Sequence, residues 1–256
     1  MFRIATWNVN SLRVRLPHVL QWLESEQPDV LALQETKLED ENFPLEEILA
    51  AGYQAVYSGQ KTYNGVATLS RSTADNIIRE IPGYTDAQRR ILYAEFDGLP
   101  VLNLYAPNGA EVGSDKYAYK LEWFSRLRPF IAERLSRNGR LIVLGDLNIA
   151  PEDRDVHDPA EWEGSVLVSE PERAEFRKLL EQGFADSFRL FDQEAQCFSW
   201  WDYRAGSFRR NRGLRIDHIL PSRALAARCT ACRIDRGPRA FEKPSDHAPV
   251  IAEFSL

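Results

Sequence analysis

The sequence predicts an α/β fold whose strands run in both directions, and three observations carry that prediction. An apolar strand, a helix and a second apolar strand follow one another between Phe2 and Leu33. From Gly52 to Tyr105, short strand patterns then succeed one another across turns, with no helix between them. Finally, a long amphipathic stretch leads straight into Leu141-Ile142-Val143-Leu144-Gly145-Asp146-Leu147-Asn148, where an apolar run stops at a glycine and delivers a carboxylate and a carboxamide.

Phe2 to Val9 alternates as a buried strand and ends in Trp7-Asn8-Val9-Asn10. Pro17 marks the start of a helix with Val19, Leu20 and Leu23 on one face, and Pro28-Asp29 stops it. Val30 to Leu33 follows as a strand ending in Gln34-Glu35-Thr36-Lys37. The right-handed crossover of such a unit brings Asn8 and Glu35 out at the same sheet edge. Gly52 to Tyr57 and Gly65 to Ser70 read as strands around a polar turn, and Arg90 to Phe96 pairs with Pro100 to Tyr105 across Asp97-Gly98. Tyr105 thus sits at a strand end, before Ala106-Pro107-Asn108-Gly109.

From Asp115 to Leu135, the residues Tyr117, Leu121, Phe124, Leu127, Ile131 and Leu135 form one helical face, kinked or split at Pro129. The strand at Leu141 comes next. If the chain stays extended to Asn148, Asp146 and Asn148 share a face; the other reading of Asp-x-Asn is a strand followed by an Asx turn. Ala150 to Val168 reads as a long functional loop and Glu172 to Leu180 as a second helix. Phe198-Ser199-Trp200-Trp201-Asp202-Tyr203 places aromatics beside a loop holding Arg204, Arg209, Arg210, Arg212 and Arg215, the pairing that stacks bases and binds phosphates. Leu214 to Leu220 reads as a strand with Leu214, Ile216 and His218 on one face and Arg215, Asp217 and Ile219 on the other. Lys243 to Val250 is a Pro-bounded turn carrying Asp246 and His247.

Composition narrows the function. With 256 residues, 44% of them hydrophobic, the chain can form a single domain over 1–256 around an ample core. A formal charge of −6 argues against a broadly basic nucleic-acid binder, while a local basic face beside a carboxylate cluster remains compatible with nucleic acid. No run of ~18 apolar residues and no basic-then-apolar leader stand out, so the expectation is a cytoplasmic protein without a membrane. Cys229-x-x-Cys232 lacks the second pair that a zinc site requires.

The polar strand ends are Asn8, Glu35, Tyr105, Asp146, Asn148, Asp217, Asp246 and His247. Oxygen donors with one imidazole and no thiolate suit Mg²⁺ or Mn²⁺ better than zinc, and an imidazole facing phosphate needs a carboxylate such as Asp217 to hold it. As a set they point to phosphoryl chemistry.

The chain closely resembles the exonuclease III family of abasic-site endonucleases, within the endonuclease, exonuclease and phosphatase superfamily. The resemblance runs from Ile4 to Phe254. It is carried by TWNVNSLR, LALQETK, YNGVATLSR, NLYAPNG, GDLNIAPEDRDVHDP, FSWWDYR, NRGLRIDHIL and EKPSDHAPV. GDLN and SDH are shared with distant phosphatases, whereas FSWWDYR followed by NRGLRID is specific to the DNA-repair branch.

That resemblance implies a four-layer α/β sandwich, two mostly antiparallel mixed sheets packed face to face and flanked by helices. It also implies cleavage 5′ to abasic sites in double-stranded DNA, with 3′–5′ exonuclease and 3′-phosphatase activity on blocked 3′ ends. The enzyme is expected to be a monomer in a bacterial-type cytoplasm, associated with the nucleoid through DNA. By resemblance Glu35 is the principal metal ligand, with Asn8 and Asp246 nearby; the metal can instead use Asp146 and Asn148, with His247 also a candidate. Asp146 activates water, Asn148 and Tyr105 donate to the phosphate, and His247, supported by Asp217, stabilises its charge. Tyr63, Arg90, Lys120 and Arg212 are expected to hold DNA, and Trp200, Leu214 and Ile216 to line a pocket for a flipped-out baseless sugar. The loop Ala110 to Asp115 is short for the exonuclease III type. Rival readings are a phosphodiesterase or phosphatase on a non-DNA substrate, a nonspecific DNase and a non-catalytic DNA-binding module.

Overall fold

The computed structural model describes all 256 residues. Eleven strands form two sheets. The first, six-stranded, has the order β10-β11-β1-β2-β4-β3, from β1 (Phe2–Asn8), β2 (Val30–Gln34), β3 (Gln54–Ser58), β4 (Val66–Ser70), β10 (Cys229–Ile234) and β11 (Val250–Phe254). The second, five-stranded, has the order β5-β6-β7-β8-β9, from β5 (Ala74–Ile78), β6 (Ile91–Phe96), β7 (Leu99–Tyr105), β8 (Ile142–Asp146) and β9 (Asp217–Pro221). Each sheet contains one parallel pair, β1 with β2 and β7 with β8, and every other pairing is antiparallel. The parallel pairs are joined by the long helices α1 (Leu12–Glu26) and α3 (Asp115–Asn138), as such pairs require. Shorter helices are α2 (Leu45–Ala50), α4 (Pro159–Trp162), α5 (Glu170–Glu181) and α6 (Arg223–Ala226).

Period-two alternation explains the layers. Along β1 and β2, Ile4, Val30 and Ala32 face the opposite sheet, where they meet Val101, Ile142, Leu144 and Ile219. Ala5, Trp7, Leu31 and Leu33 face outward and are covered by Val19, Trp22 and Leu23 of α1 and Ile48 of α2. The second sheet repeats this, with Leu102, Leu104 and Val143 packed under Trp123, Phe124, Leu127 and Ile131 of α3 and Phe176 and Leu179 of α5. Both faces of both sheets are therefore covered, which is why their strands read as continuous apolar runs. The result is the four-layer sandwich expected from the sequence. No helix is long and apolar enough to cross a membrane.

Several local expectations change. Pro17 lies inside α1 rather than at its start, and α3 runs through Pro129 without a split. A helical proline frees the carbonyl four residues earlier, and here those carbonyls belong to Arg13 and Ser125, both exposed, where water can satisfy them. The strand expected from Leu214 begins at Asp217. Residues 214–216 leave the sheet to tie two loops instead, with Leu214 bridging Val156 and Trp200. Alternation is lost there, so Arg215 and His218, expected on opposite faces, are hydrogen-bonded at 3.0 Å. The loop Ala150 to Val168 carries a 3-10 turn at Asp153–Asp155 and the short α4.

Candidate active site at the sheet ends

Strand register assembles the site. Tyr105 pairs with Asp146 across β7 and β8, and Asp146 pairs with Asp217 across β8 and β9, so three functional side chains stand in a row at one end of the second sheet. Asn8 and Gln34 are partners at the matching end of the first sheet, with Glu35 next. Gly145 makes the row possible, because a Cβ there would lie 1.9 Å from the Leu104 carbonyl. Beneath, a fully buried polar link joins the sheets: Gln34 donates to Asn103 (2.8 Å), and Asn103 donates to the Ala67 and Leu33 carbonyls (2.9 and 3.1 Å).

The carboxamide of Asn8 bridges the two halves, donating to Glu35 Oε1 and to Asp146 Oδ2, each at 2.9 Å. Glu35, Asp146 and His247 offer donor atoms within 4.8 Å of one another. His247 Nδ1 meets Asp217 at 2.8 Å, and Ser199 donates to the same carboxylate at 2.6 Å. His247 Nε2 lies 3.8 Å from Asp146 Oδ2, too far for a hydrogen bond, so both groups face one shared space. Burial pushes the Asp146 carboxyl up to about 7, despite opposition from His247. Burial alone would lower His247, but Asp217 and Asp146 overcome it and raise it to about 10. Tyr105 stays protonated, its hydroxyl raised by burial and by Glu35, with the Arg90 guanidinium 4.6 Å from its ring centre.

Of the two readings of Asp-x-Asn, the strand followed by an Asx turn holds and the extended one does not. The Asn148 amide donates to Asp146 Oδ1 at 2.9 Å in an Asx turn, and the turn, not an extended chain, places Asn148 beside the site with φ 51°. Its carboxamide donates to the Ala106 carbonyl and accepts from Asn108. Glu35 also has a positive φ, 51°, as do Asn10, Ser11 and Lys37, so backbone strain gathers around the carboxylates.

Other predicted residues fall elsewhere. Asp246 stands outside the carboxylate cluster, its oxygens taken by Asn10 and by the Trp200 indole, each at 3.0 Å. His247 has Nδ1 taken by Asp217, which leaves Nε2 facing Asp146. Lys120, expected on a DNA-binding rim, has no exposed side-chain surface and is paired with Glu172. Arg90 is nearly buried, Arg212 is paired with Glu161, and Arg204 with Asp202. Arg215 is enclosed by Asp155 and Asp186. The exposed part of the basic rim is thus Arg204, Arg209, Arg210 and part-exposed Arg212 of the loop, together with Lys116, and Tyr63 projects at 68% exposure. Leu214 and Ile216 are buried with Ala150, Val156 and Val168, forming a floor against which half-buried Trp200 packs.

Sequence reading passed over Lys37, 2.9 Å from Glu35, and Asn10, which accepts from Lys37 and donates to Asp246. Their signal was present in the strand-end segments containing Asn8 and Glu35. Ser199 was hidden among its aromatic neighbours.

The residues present fit a hard divalent cation: the Glu35 and Asp146 carboxylates converge on either side of the Asn8 carboxamide, and ionised Asp146 lacks a direct cationic partner. Residues 5–247 match the model of the Endonuclease/Exonuclease/phosphatase family. The chain is 40% identical to exodeoxyribonuclease III of Haemophilus influenzae over 98% of its own length and 99% of that protein. Among solved structures it is similar to the 3′ phosphatase NExo from Neisseria bound to a product DNA hairpin (TM-score 0.98, 46% identity) and to an AP endonuclease from Archaeoglobus fulgidus (TM-score 0.97, 38% identity), each covering 100% of both chains.

Proposed function

Because the chain belongs to the endonuclease/exonuclease/phosphatase family, we propose that its carboxylate centre serves a metal-dependent DNA repair nuclease. It hydrolyses the phosphodiester 5′ to abasic sites in double-stranded DNA and also acts as a 3′–5′ exonuclease and 3′ phosphatase. The observation that carries this is the facing pair: a carboxylate at Asp146 and, 3.8 Å away, an imidazole that Asp217 keeps charged. One group can take a proton from water while the other donates to the phosphate that the water attacks.

In this reading Glu35 and the oxygen of the Asn8 carboxamide, with Asp146 adjacent, would hold Mg²⁺ or Mn²⁺, and the ion would supply positive charge at the phosphate. Asp146 orients and deprotonates the water. Asn148 and the neutral Tyr105 hydroxyl donate to non-bridging oxygens, and His247 donates from Nε2 as negative charge builds. Tyr63, Lys116, Arg209 and Arg210 hold the strands. Large exposed apolar side chains are scattered over separate elements, which supports a monomer; a cytoplasmic location is part of the same proposal.

Side-by-side assays of an abasic duplex, an intact duplex and an inositol phosphate test the reading. Cleavage should centre on the abasic strand, stop with chelator and return with Mg²⁺ or Mn²⁺, while the fold persists without metal. Preference for the inositol phosphate, or full activity in excess chelator, refutes it.

A further inference from the structure

Lys120 is the cation that the site does not display. Its ammonium donates to three acceptors, the carbonyls of Asn108 (3.1 Å) and Asn148 (2.6 Å) and the Glu172 carboxylate, and neither side chain of the Lys120–Glu172 pair has exposed surface. Glu172 is equally saturated, accepting from the Leu167 amide (3.0 Å), the Ser169 amide (3.2 Å) and the Ser169 hydroxyl. Lys120 is the only donor to either carbonyl. Those carbonyls belong to the loops after β7 and β8, where sheet hydrogen bonding has ended, and to the two residues whose carboxamides meet at 3.3 Å beside Asp146. Gly109 leaves the lysine stem its path, since a Cβ added there would lie 3.2 Å from Lys120 Cδ.

We propose that Lys120, braced by Glu172, is a positioning residue that locks the Asn108 and Asn148 loops into one arrangement so that their carboxamides meet the scissile phosphate together. A buried ion pair is a poor route to stability, because apolar residues of similar volume do as well or better; a fully connected one fixes geometry. Lysine suits the task because one point can donate in three directions, and here all three are used. The inference rests on the phosphodiesterase reading of the site.

The test is the double variant Lys120→Met/Glu172→Gln, which removes both charges together and leaves neither buried alone. On abasic duplex its kcat should fall ~10- to 100-fold with KM changed by less than ~3-fold and a melting temperature near wild type. Lys120→Arg, which restores a multi-donor cation, should recover part of kcat. Wild-type kcat in the double variant overturns the proposal, as does a loss confined to KM, which would place Lys120 on the DNA, or an arginine variant no better than the double. Should the double variant not fold, Lys120→Gln replaces it with the same expected kcat-only loss; failure of both to fold makes the pair structural and also overturns the proposal. Wild-type enzyme runs alongside, and its failure to cut abasic DNA would instead refute the functional reading.

Discussion

Arg215 and His247 are both cations buried against carboxylates, yet their surroundings differ in a way that separates structure from function. Arg215 donates to Asp155 and Asp186 at 2.7 Å each, Arg189 joins Asp155, and His218 accepts from Arg215 while donating from Nε2 to the Ile149 carbonyl at 2.9 Å. Two arginines balance two aspartates. Although burial opposes it, Arg215 and Arg189 hold the Asp155 carboxyl below the usual range, and burial keeps His218 neutral at about 4. Around His247, by contrast, the three carboxylates Glu35, Asp146 and Asp217 have only His247 and Lys37 as ion-pair partners, and Asp146 is pushed up to about 7. A saturated cluster joins segments, whereas an unsaturated one can take up a cation and a phosphate.

The sharpest way to break this contrast is Asp146→Asn. It should lower kcat by ~10²-fold or more, because the group that takes the proton is gone. Stability should move the other way. Since the folded carboxyl titrates above its ordinary value, ionisation costs stability as pH rises from that value to about 7 and the cost then stays constant. The asparagine protein should therefore melt no lower than wild type at about pH 8. Turnover near wild type, or a clear drop in melting temperature, would show that Asp146 belongs with the structural cluster.

Arg215→Met is the complementary change. Asp155 and Asp186 would lose their shared guanidinium, and breaking a buried pair from one side costs about 3–5 kcal/mol. Turnover per folded molecule should fall far less than for Asp146→Asn. Asp155, with its lowered folded value, adds stability above its ordinary range that is lost as pH falls through the folded value, so the wild type's extra stability over the variant should shrink in acid. A denaturant titration at neutral and acidic pH checks both parts; a stability unchanged from wild type would remove the structural role.

What the sequence made legible follows from what is local. Strand ends after apolar runs exposed Asn8, Glu35, Tyr105 and Asp146, because period-two patterning and the βαβ crossover both act over short stretches. The destinations of Lys120 and Arg215 were not legible. Lys120 was expected on DNA and Arg215 among the arginines beside the aromatics, and the burial of each depends on Glu172, Asp155 and Asp186, which lie 29 to 60 residues away for Arg215 and 52 for Lys120. Pro17 and Pro129 misled for a related reason, since whether a helix tolerates proline depends on whether the freed carbonyl faces water.

Trp200 lies on the seam between the two regions, and replacing it should give the smallest effect. Its indole donates to Asp246 on the catalytic side, its ring meets Trp162 edge-on at 6.5 Å, and Leu214, next to Arg215, lies in the apolar floor against which it packs. As a wall beside the catalytic row, it would meet the base of a normal nucleotide while leaving room for a sugar without one, whose flipping also costs least. As a packing residue, it would only cover Leu214 and Ile216. Trp200→Ala separates these roles: loss of a wall should raise cleavage at normal or α-anomeric nucleotides relative to abasic ones by up to about 10-fold. Because the side chain is only half-buried, the stability cost should stay below the ~3–5 kcal/mol of a fully buried aromatic. An unchanged cleavage ratio with a large fall in melting temperature would assign Trp200 to the structural side of the seam and leave abasic selection to the Tyr63 and Ala110 to Asp115 loops.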